Sequence, residues 1–130
     1  MKRVKIAVVG YGNRGQVYAD YALDEPNEVE VVAVIDPNEY KLNVAKERYR
    51  LTDGQLFATY KDFVASGIQA DIVINATMED IHYQTAMEIL SSKHHMLIEK
   101  PIVSKKSELL EIEQKAKENG CMVFVCHVLR

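Results

Sequence analysis

Residues 4–15 read VKIAVVGYGNRG, an apolar run of strand length that ends abruptly in glycines at positions 10, 12 and 15. Such a run lacks the alternation of a half-exposed strand. It predicts a strand buried on both faces, as in the centre of a parallel sheet covered by helices. The glycines fall where that strand would turn into a helix. Gly10 allows the tight turn, Gly12 lets the main chain approach a pyrophosphate, and Gly15 lets the helix pack closely on the strand. In this arrangement the amides of Tyr11, Gly12, Asn13 and Arg14 point towards phosphate at the positive end of the helix dipole. The Arg14 side chain either adds charge there or turns to solvent. Glycines also serve ordinary turns, so the motif acquires meaning only from its context.

The rest of the chain supplies that context by repeating the alternation. VEVVAVID (29–36), LFATY (56–60), ADIVINAT (70–77), HHMLIEK (94–100) and CMVFVCHV (121–128) are further runs of strand length. The segments between them have helical period. A first helix from Asn13 is expected to carry Val17, Tyr18, Tyr21 and Ala22 on one face. A second, capped by Asn38, carries Leu42, Ala45 and Tyr49. DFVAS (62–66) offers one or two turns before Gly67, and Ala86, Ile89 and Leu90 mark another helix. Ser104 is placed to cap a last one, with Leu109, Ile112 and Ala116 as its stripe and Asn119-Gly120 as a left-handed stop. LFATY is the weakest of the strands. Together these elements predict an α/β fold, a Rossmann-type doubly wound, mostly parallel six-stranded sheet with helices on both faces and strand order 3-2-1-4-5-6.

Composition removes several function classes. At 130 residues, 48% of them apolar and 27% charged, the chain can bury one ordinary core. Its net charge of −3 and lack of a basic run argue against nucleic acid as a partner. The basic start, MKR, precedes an apolar run too short for a signal sequence, and no run approaches the roughly 20 residues that span a bilayer. The expectation is a cytoplasmic protein without a membrane partner. Cys121 and Cys126, five apart in an apolar segment, would face opposite sides of a strand and remain free, and no Cys or His spacing suits zinc, so no metal is expected. No linker or repeat divides the chain. A dinucleotide-binding domain over residues 1–130 is expected, continuing past Arg130 into a substrate domain absent from this sequence.

Asp36 ends the second strand, 21 residues after Gly15. An acid there can accept hydrogen bonds from an adenosine ribose and repels a 2′-phosphate, which favours NAD over NADP. The plainer alternative for Asp36 is a helix N-terminal acid or a turn residue beside Pro37, and strand, loop, helix and acid in register favour the cofactor role. Lys41, one helical turn on, keeps NADP possible, although a solvated surface lysine is the more ordinary role for it.

With Gly10, Gly12, Gly15, Asp36 and then Glu99-Lys100-Pro101 after the fifth strand, the chain resembles the N-terminal nucleotide-binding domain of the Gfo/Idh/MocA oxidoreductases, over essentially all of its length. The resemblance implies an NAD(P)-dependent oxidoreductase acting on CH-OH groups of sugars, cyclitols or related polyols. It further implies a second domain that completes the pocket, and homo-oligomers in the full-length protein. Residue by residue, Glu99 and Lys100 match the pair near the nicotinamide, Lys100 being the one implicated in catalysis. Thr77 and His82 match the loop after the fourth strand that borders the cofactor, and His127 matches a polar position near the active site. One departure stands out. The family commonly places Pro after that Thr, whereas this chain has Met78.

Oxidising a secondary alcohol needs a base beside the cofactor. Lys100 suits that role where desolvation and a nearby positive ring disfavour its charged form. Glu99 would orient it or touch the cofactor, and Pro101 would hold the Lys100 backbone extended. The bland alternative is a solvated Glu99–Lys100 pair at a strand end. His82 is balanced between a cofactor-edge contact and helix capping, and His94 and His95 are expected at the surface. Two other functions fit the same glycine loop: a free-standing NAD(H)-binding or redox-sensing module, and a methyltransferase using S-adenosylmethionine.

Overall fold

A computed structural model of the chain describes residues 3–99 and 105–126. Strand β1 (Val4–Val9) leads into helices α1 (Asn13–Ala19) and α2 (Tyr21–Asp24), followed by β2 (Val29–Ile35), α3 (Glu39–Arg48) and a 3-10 turn (Asp53–Gln55). Then come β3 (Leu56–Phe57), α4 (Tyr60–Ser66), β4 (Ile72–Asn75), α5 (Glu79–Ser91), β5 (His95–Glu99), α6 (Lys106–Glu118) and β6 (Val123–Cys126). The strands form one sheet in the order β3-β2-β1-β4-β5-β6, and every pairing is parallel. This is the doubly wound arrangement the alternation predicts.

Register explains why the strands are apolar on both faces. Leu56, Val34, Val8, Ile74, Leu97 and Phe124 lie side by side in one row across all six strands. In the row's centre, Val8 and Val34 pack with Ala19 and Ala45 of α1 and α3. The opposite face, with Val9, Val73, Met96 and Ile98, packs with Phe63, Ile89, Leu90 and Ile112 of α4, α5 and α6. Between Ile6 and Ala7 the partner on β2 jumps from Val31 to Ala33, a one-residue bulge.

Several boundaries depart from expectation. Val17 and Tyr21 are 54% and 60% exposed, so the buried face of the first helix is set by Gly15 and Ala19, with Tyr18 and Ala22 half-buried. Contact between Gly15 and the strand fixes that phase. LFATY pairs over only two residues, because Thr59 turns the chain into α4 by accepting the Asp62 amide at 3.2 Å. The last helix takes Lys105, not Ser104, as its N-cap, with the backbone still extended there and no side chain capping it. His94 and His95 are half-buried rather than superficial. His94 meets the Ser92 hydroxyl at 2.8 Å, and Nδ1 of His95 accepts the Met122 amide at 2.9 Å. Cys121 is free and precedes β6 rather than lying within it. Lys100, Pro101, Ser104, His127 and Arg130 lie outside the described residues, as do the side chains of Glu99 and Cys126. No helix among the described residues is long and apolar enough to cross a membrane.

Candidate functional site

The site is built where the sheet changes direction. From β1 the chain winds one way to β2 and β3, and the other half returns through β4 to β6, leaving a crevice at the carboxyl edge between the β1 and β4 loops. Gly10 and Ala76 leave the sheet side by side there. The Gly10 amide donates to the Ile35 carbonyl at 2.8 Å, and the Ala76 amide to the Val9 carbonyl at 2.9 Å.

The three motif glycines are glycine for different reasons. Gly10 has φ +91°, and a Cβ on it would sit 2.7 Å from the Ala76 oxygen, so both backbone conformation and the neighbouring loop exclude a side chain. A Cβ on Gly15 would lie 2.0 Å from the Gly10 oxygen and 3.3 Å from Val8, the close helix–strand packing expected from the motif. Gly12 has neither constraint. Its φ is −90°, and nothing lies within 4 Å of where its Cβ would be. The fold alone does not require glycine at position 12. A Cβ there would project into space beside the loop that a pyrophosphate in main-chain contact would use.

Asp36 is 6% exposed and held by two main-chain donors: the Tyr11 amide reaches Oδ2 and the Asn38 amide reaches Oδ1, each at 2.8 Å. This corrects one expectation. The Tyr11 amide is spent on the carboxylate, so only Gly12, Asn13 and Arg14 retain amides available to a phosphate at the start of α1, where intrahelical partners are lacking. Asp36 does serve as a turn acid, yet two accepted bonds leave lone pairs on both oxygens for a further donor. The Arg14 guanidinium lies over the Tyr18 ring, 5.7 Å from its centroid.

A second network ties the loop down from the other side. The Tyr11 ring meets Tyr49 edge-on, and their hydroxyls are 2.8 Å apart. Tyr49 donates to Asp20 at 2.7 Å, and Arg48 grips the same carboxylate with two nitrogens at 2.7 and 2.9 Å. That grip holds the Asp20 carboxyl below its ordinary range, while burial pushes the Tyr49 and Tyr11 hydroxyls up.

The loop after β4 has its own anchor in Asn75, a residue that neither spacing nor motif singles out. Asn75 is 1% exposed; its Oδ1 accepts the Thr77 hydroxyl at 2.7 Å, and its Nδ2 donates to the His82 carbonyl at 3.1 Å. His82 returns the bond, Nε2 donating to the Asn75 carbonyl at 3.2 Å, which leaves a buried Nδ1 acceptor without a partner among the described residues. His82 thus neither caps α5, whose N-cap is Met78, nor lines the cavity described below. A polar residue inside the apolar run DIVINAT was the available signal. Met78 takes φ −69° and ψ 158°, a backbone proline also adopts, so the departure at this position leaves the loop's course intact.

These pieces border a cavity of about 400 Å³ lined by Gly10, Gly12, Asp36, Lys41 and Thr77 and reaching across to α5. Lys41 is exposed at its rim. Larger grooves lie along α6 and between α4 and α5, away from the glycine loop. Comparison with known proteins decides the family. Residues 4–127 match the model of the oxidoreductase family with an NAD-binding Rossmann fold, the Gfo/Idh/MocA group. The chain belongs to that family.

Among Gfo/Idh/MocA relatives, the chain is 21% identical over 95% of its length to the NADP-dependent scyllo-inositol 2-dehydrogenase of Bacillus subtilis. It is 25% identical over 97% to the 2,7-anhydro-N-acetylneuraminate hydratase of Escherichia coli. Its fold overlays 97% of the chain on the WlbA dehydrogenase of Chromobacterium violaceum, solved with NADH and UDP-GlcNAcA, with a TM-score of 0.88 and 25% identity. The chain spans about a third of the length of these proteins, 33%, 32% and 35% respectively. As an NAD-binding oxidoreductase domain it takes a nicotinamide dinucleotide as cofactor, and the opening at Gly12 beside the fixed Asp36 suits that group.

Proposed function

We propose that this Gfo/Idh/MocA domain holds NAD across the β1–β4 crevice and serves an oxidoreductase acting on a CH-OH group of a sugar, cyclitol or related polyol. The observation that carries the reading is Gly12, a loop glycine that neither backbone conformation nor packing requires, at the mouth of a cavity shared with Asp36. Its bare main chain, with the first amides of α1, would hold the pyrophosphate. Asp36, already oriented by Tyr11 and Asn38, would accept from the adenosine ribose. Thr77, braced by Asn75, would border the cofactor at the β4 loop. His82, beneath that loop, would brace it rather than touch the cofactor.

The bound cofactor would supply the hydride acceptor for an alcohol carbon. The residues' task is to remove the hydroxyl proton. We assign it to Lys100, which follows Glu99 at the carboxyl end of β5 in the Glu-Lys-Pro that the resemblance singles out. Glu99 would orient the lysine. Because the relatives are about three times longer, we place substrate selection and assembly in residues beyond this domain, and the chain alone should bind NAD without turning over a polyol.

A thermal-shift titration with NAD, NADP and S-adenosylmethionine tests the reading. Stabilisation by NAD, with NADP weaker, is expected because Asp36 repels a 2′-phosphate. Stabilisation by S-adenosylmethionine alone would overturn it, and measurable polyol turnover by this chain would overturn the division of labour.

A further inference from the structure

The side chains of β2 change phase partway along the strand. Val29 and Val31 pack on the α1 and α3 face, Ala33 and Ile35 on the opposite one, and Val34 on the first again. Strict alternation would keep Val31, Ala33 and Ile35 on one face. The extra residue at the bulge is the cause. β1 pairs with Val31 and then with Ala33, β3 begins its pairing at Val34, and Val32 belongs to neither ladder. With Val32 in regular register, Ala33 would lie beside Val8 and every later side chain of β2 would exchange faces. Asp36 is one of these. As the strand stands, Asp36 keeps the phase of Val34 and accepts the Tyr11 amide at 2.8 Å. In a regular strand it would project from the other face, one residue or about 3.3 Å further along.

Val32 is 7% exposed, so its carbonyl needs a partner inside the protein. Gln55 supplies it. From the 3-10 turn, Nε2 of Gln55 donates to the Val32 carbonyl at 3.0 Å, while Oε1 accepts the Thr52 amide at 2.9 Å. Both ends of the side-chain amide are committed, and it forms a strut between the turn and the bulge. We propose that Gln55 is a positioning residue for the cofactor, holding the Val32 bulge and thereby the face and height at which Asp36 stands, an inference that rests on Asp36 as the ribose acceptor. Gln55 does not line the cavity and acts only through β2. Once the Val32 carbonyl loses its donor, a buried acceptor is left unpaired. Migration of the extra residue along β2 relieves this, and the Asp36 carboxylate moves with it.

Calorimetric titration with NAD and NADP tests this on the wild type, Gln55→Met and Asp36→Asn, beside the Tyr11 amide resonance in a heteronuclear NMR spectrum. Gln55→Met should weaken NAD about tenfold, the scale of a lost hydrogen bond to a charged group, and weaken NADP less, so that the ratio narrows. The Tyr11 amide should move upfield as its bond to the carboxylate lengthens. Gln55→Glu keeps the acceptor for Thr52 and loses only the donor to Val32; it should shift the resonance in the same way, and it is read by that signal because its charge also acts on NADP. A merely structural Gln55 would lower the melting temperature and leave ratio and resonance in place. That result, with Asp36→Asn still moving the ratio, would overturn the positioning role while the cofactor reading stands. A ratio unmoved by Asp36→Asn, or no NAD binding to the wild type, would overturn both.

Discussion

The Tyr11 main-chain amide donates to Oδ2 of Asp36 over 2.8 Å, so the residue placed to face a ribose also holds the glycine loop in shape. Two roles on one carboxylate give separable outcomes. Asp36→Ala leaves a buried amide unpaired and should cost about 1–3 kcal/mol in a denaturant melt as well as weakening NAD. Asp36→Asn keeps one acceptor and removes the charge. It should lose less stability and move the NAD-to-NADP affinity ratio towards NADP. If Asp36→Asn leaves that ratio unmoved, the carboxylate is a loop anchor alone.

The three motif glycines should separate in the same two assays. Gly12→Ala meets open space at a permitted φ, so its cost is at most about 1 kcal/mol, the difference between glycine and alanine at an N-cap. Cofactor affinity should nevertheless fall at least about tenfold, since the methyl group occupies the loop's open side. Gly15→Ala, with a Cβ 2.0 Å from a carbonyl oxygen, should lose several kcal/mol or fail to fold. Full NAD affinity in Gly12→Ala would remove the observation on which the functional reading rests.

Met78→Pro should stabilise the protein by about 0.4–1 kcal/mol, because the native φ of −69° is one proline already holds and the unfolded chain loses freedom. A chemical melt decides the sign. Destabilisation would mean that the Met78 amide or the Thr77 backbone does not tolerate the ring.

Stability should fall towards both pH extremes. Burial pushes the Tyr60 hydroxyl up to about 12 from an ordinary 10, so its contribution is complete below pH 10. Above that the unfolded state gives up a proton the native state keeps, and about 2–3 kcal/mol is lost as pH rises to 12. Tyr49 and Tyr11 are shifted the same way and add to this loss. Burial, with His95 nearby, depresses His94 below its ordinary 6.5. That contribution is present above pH 6.5 and fades as pH falls, when the unfolded imidazole takes up a proton first. Melting curves from pH 5 to 11 should show both limbs, with the alkaline one shallower in Tyr60→Phe.

In a full-length enzyme carrying this domain, Lys100→Met should lower kcat by about 10² to 10⁴ while NAD affinity stays within a few-fold, the signature of a lost proton-transfer group. Stopped-flow turnover beside equilibrium cofactor titration separates the two. Unchanged kcat would return Glu99 and Lys100 to the role of a solvated pair.

The alternation of apolar runs and helical segments made the sheet, its order and the place of the glycine loop legible, since parallel strands covered on both faces by helices are mostly apolar on both. Spacing marked Gly10 and Asp36 at the ends of β1 and β2, and Gly15 in the first turns of α1, where the helix packs against the strand. What stayed hidden were contacts between distant segments. The capture of the Tyr11 amide by Asp36, the brace from Tyr49 through Asp20 to Arg48, and the bonds by which Asn75 holds Thr77 and His82 join residues tens of positions apart or turn on a single rotamer. No periodicity announces these.

The sequence by itself determined a doubly wound domain with a phosphate-compatible loop, because hydrophobic period and glycine spacing act locally along the chain. Only the tertiary structure decided which glycine the fold does not need, which acid is pinned in place, and which face of α5 closes the cavity. Those are properties of space between elements, and such space exists only once β1, β2 and β4 have paired and their loops have met at one edge.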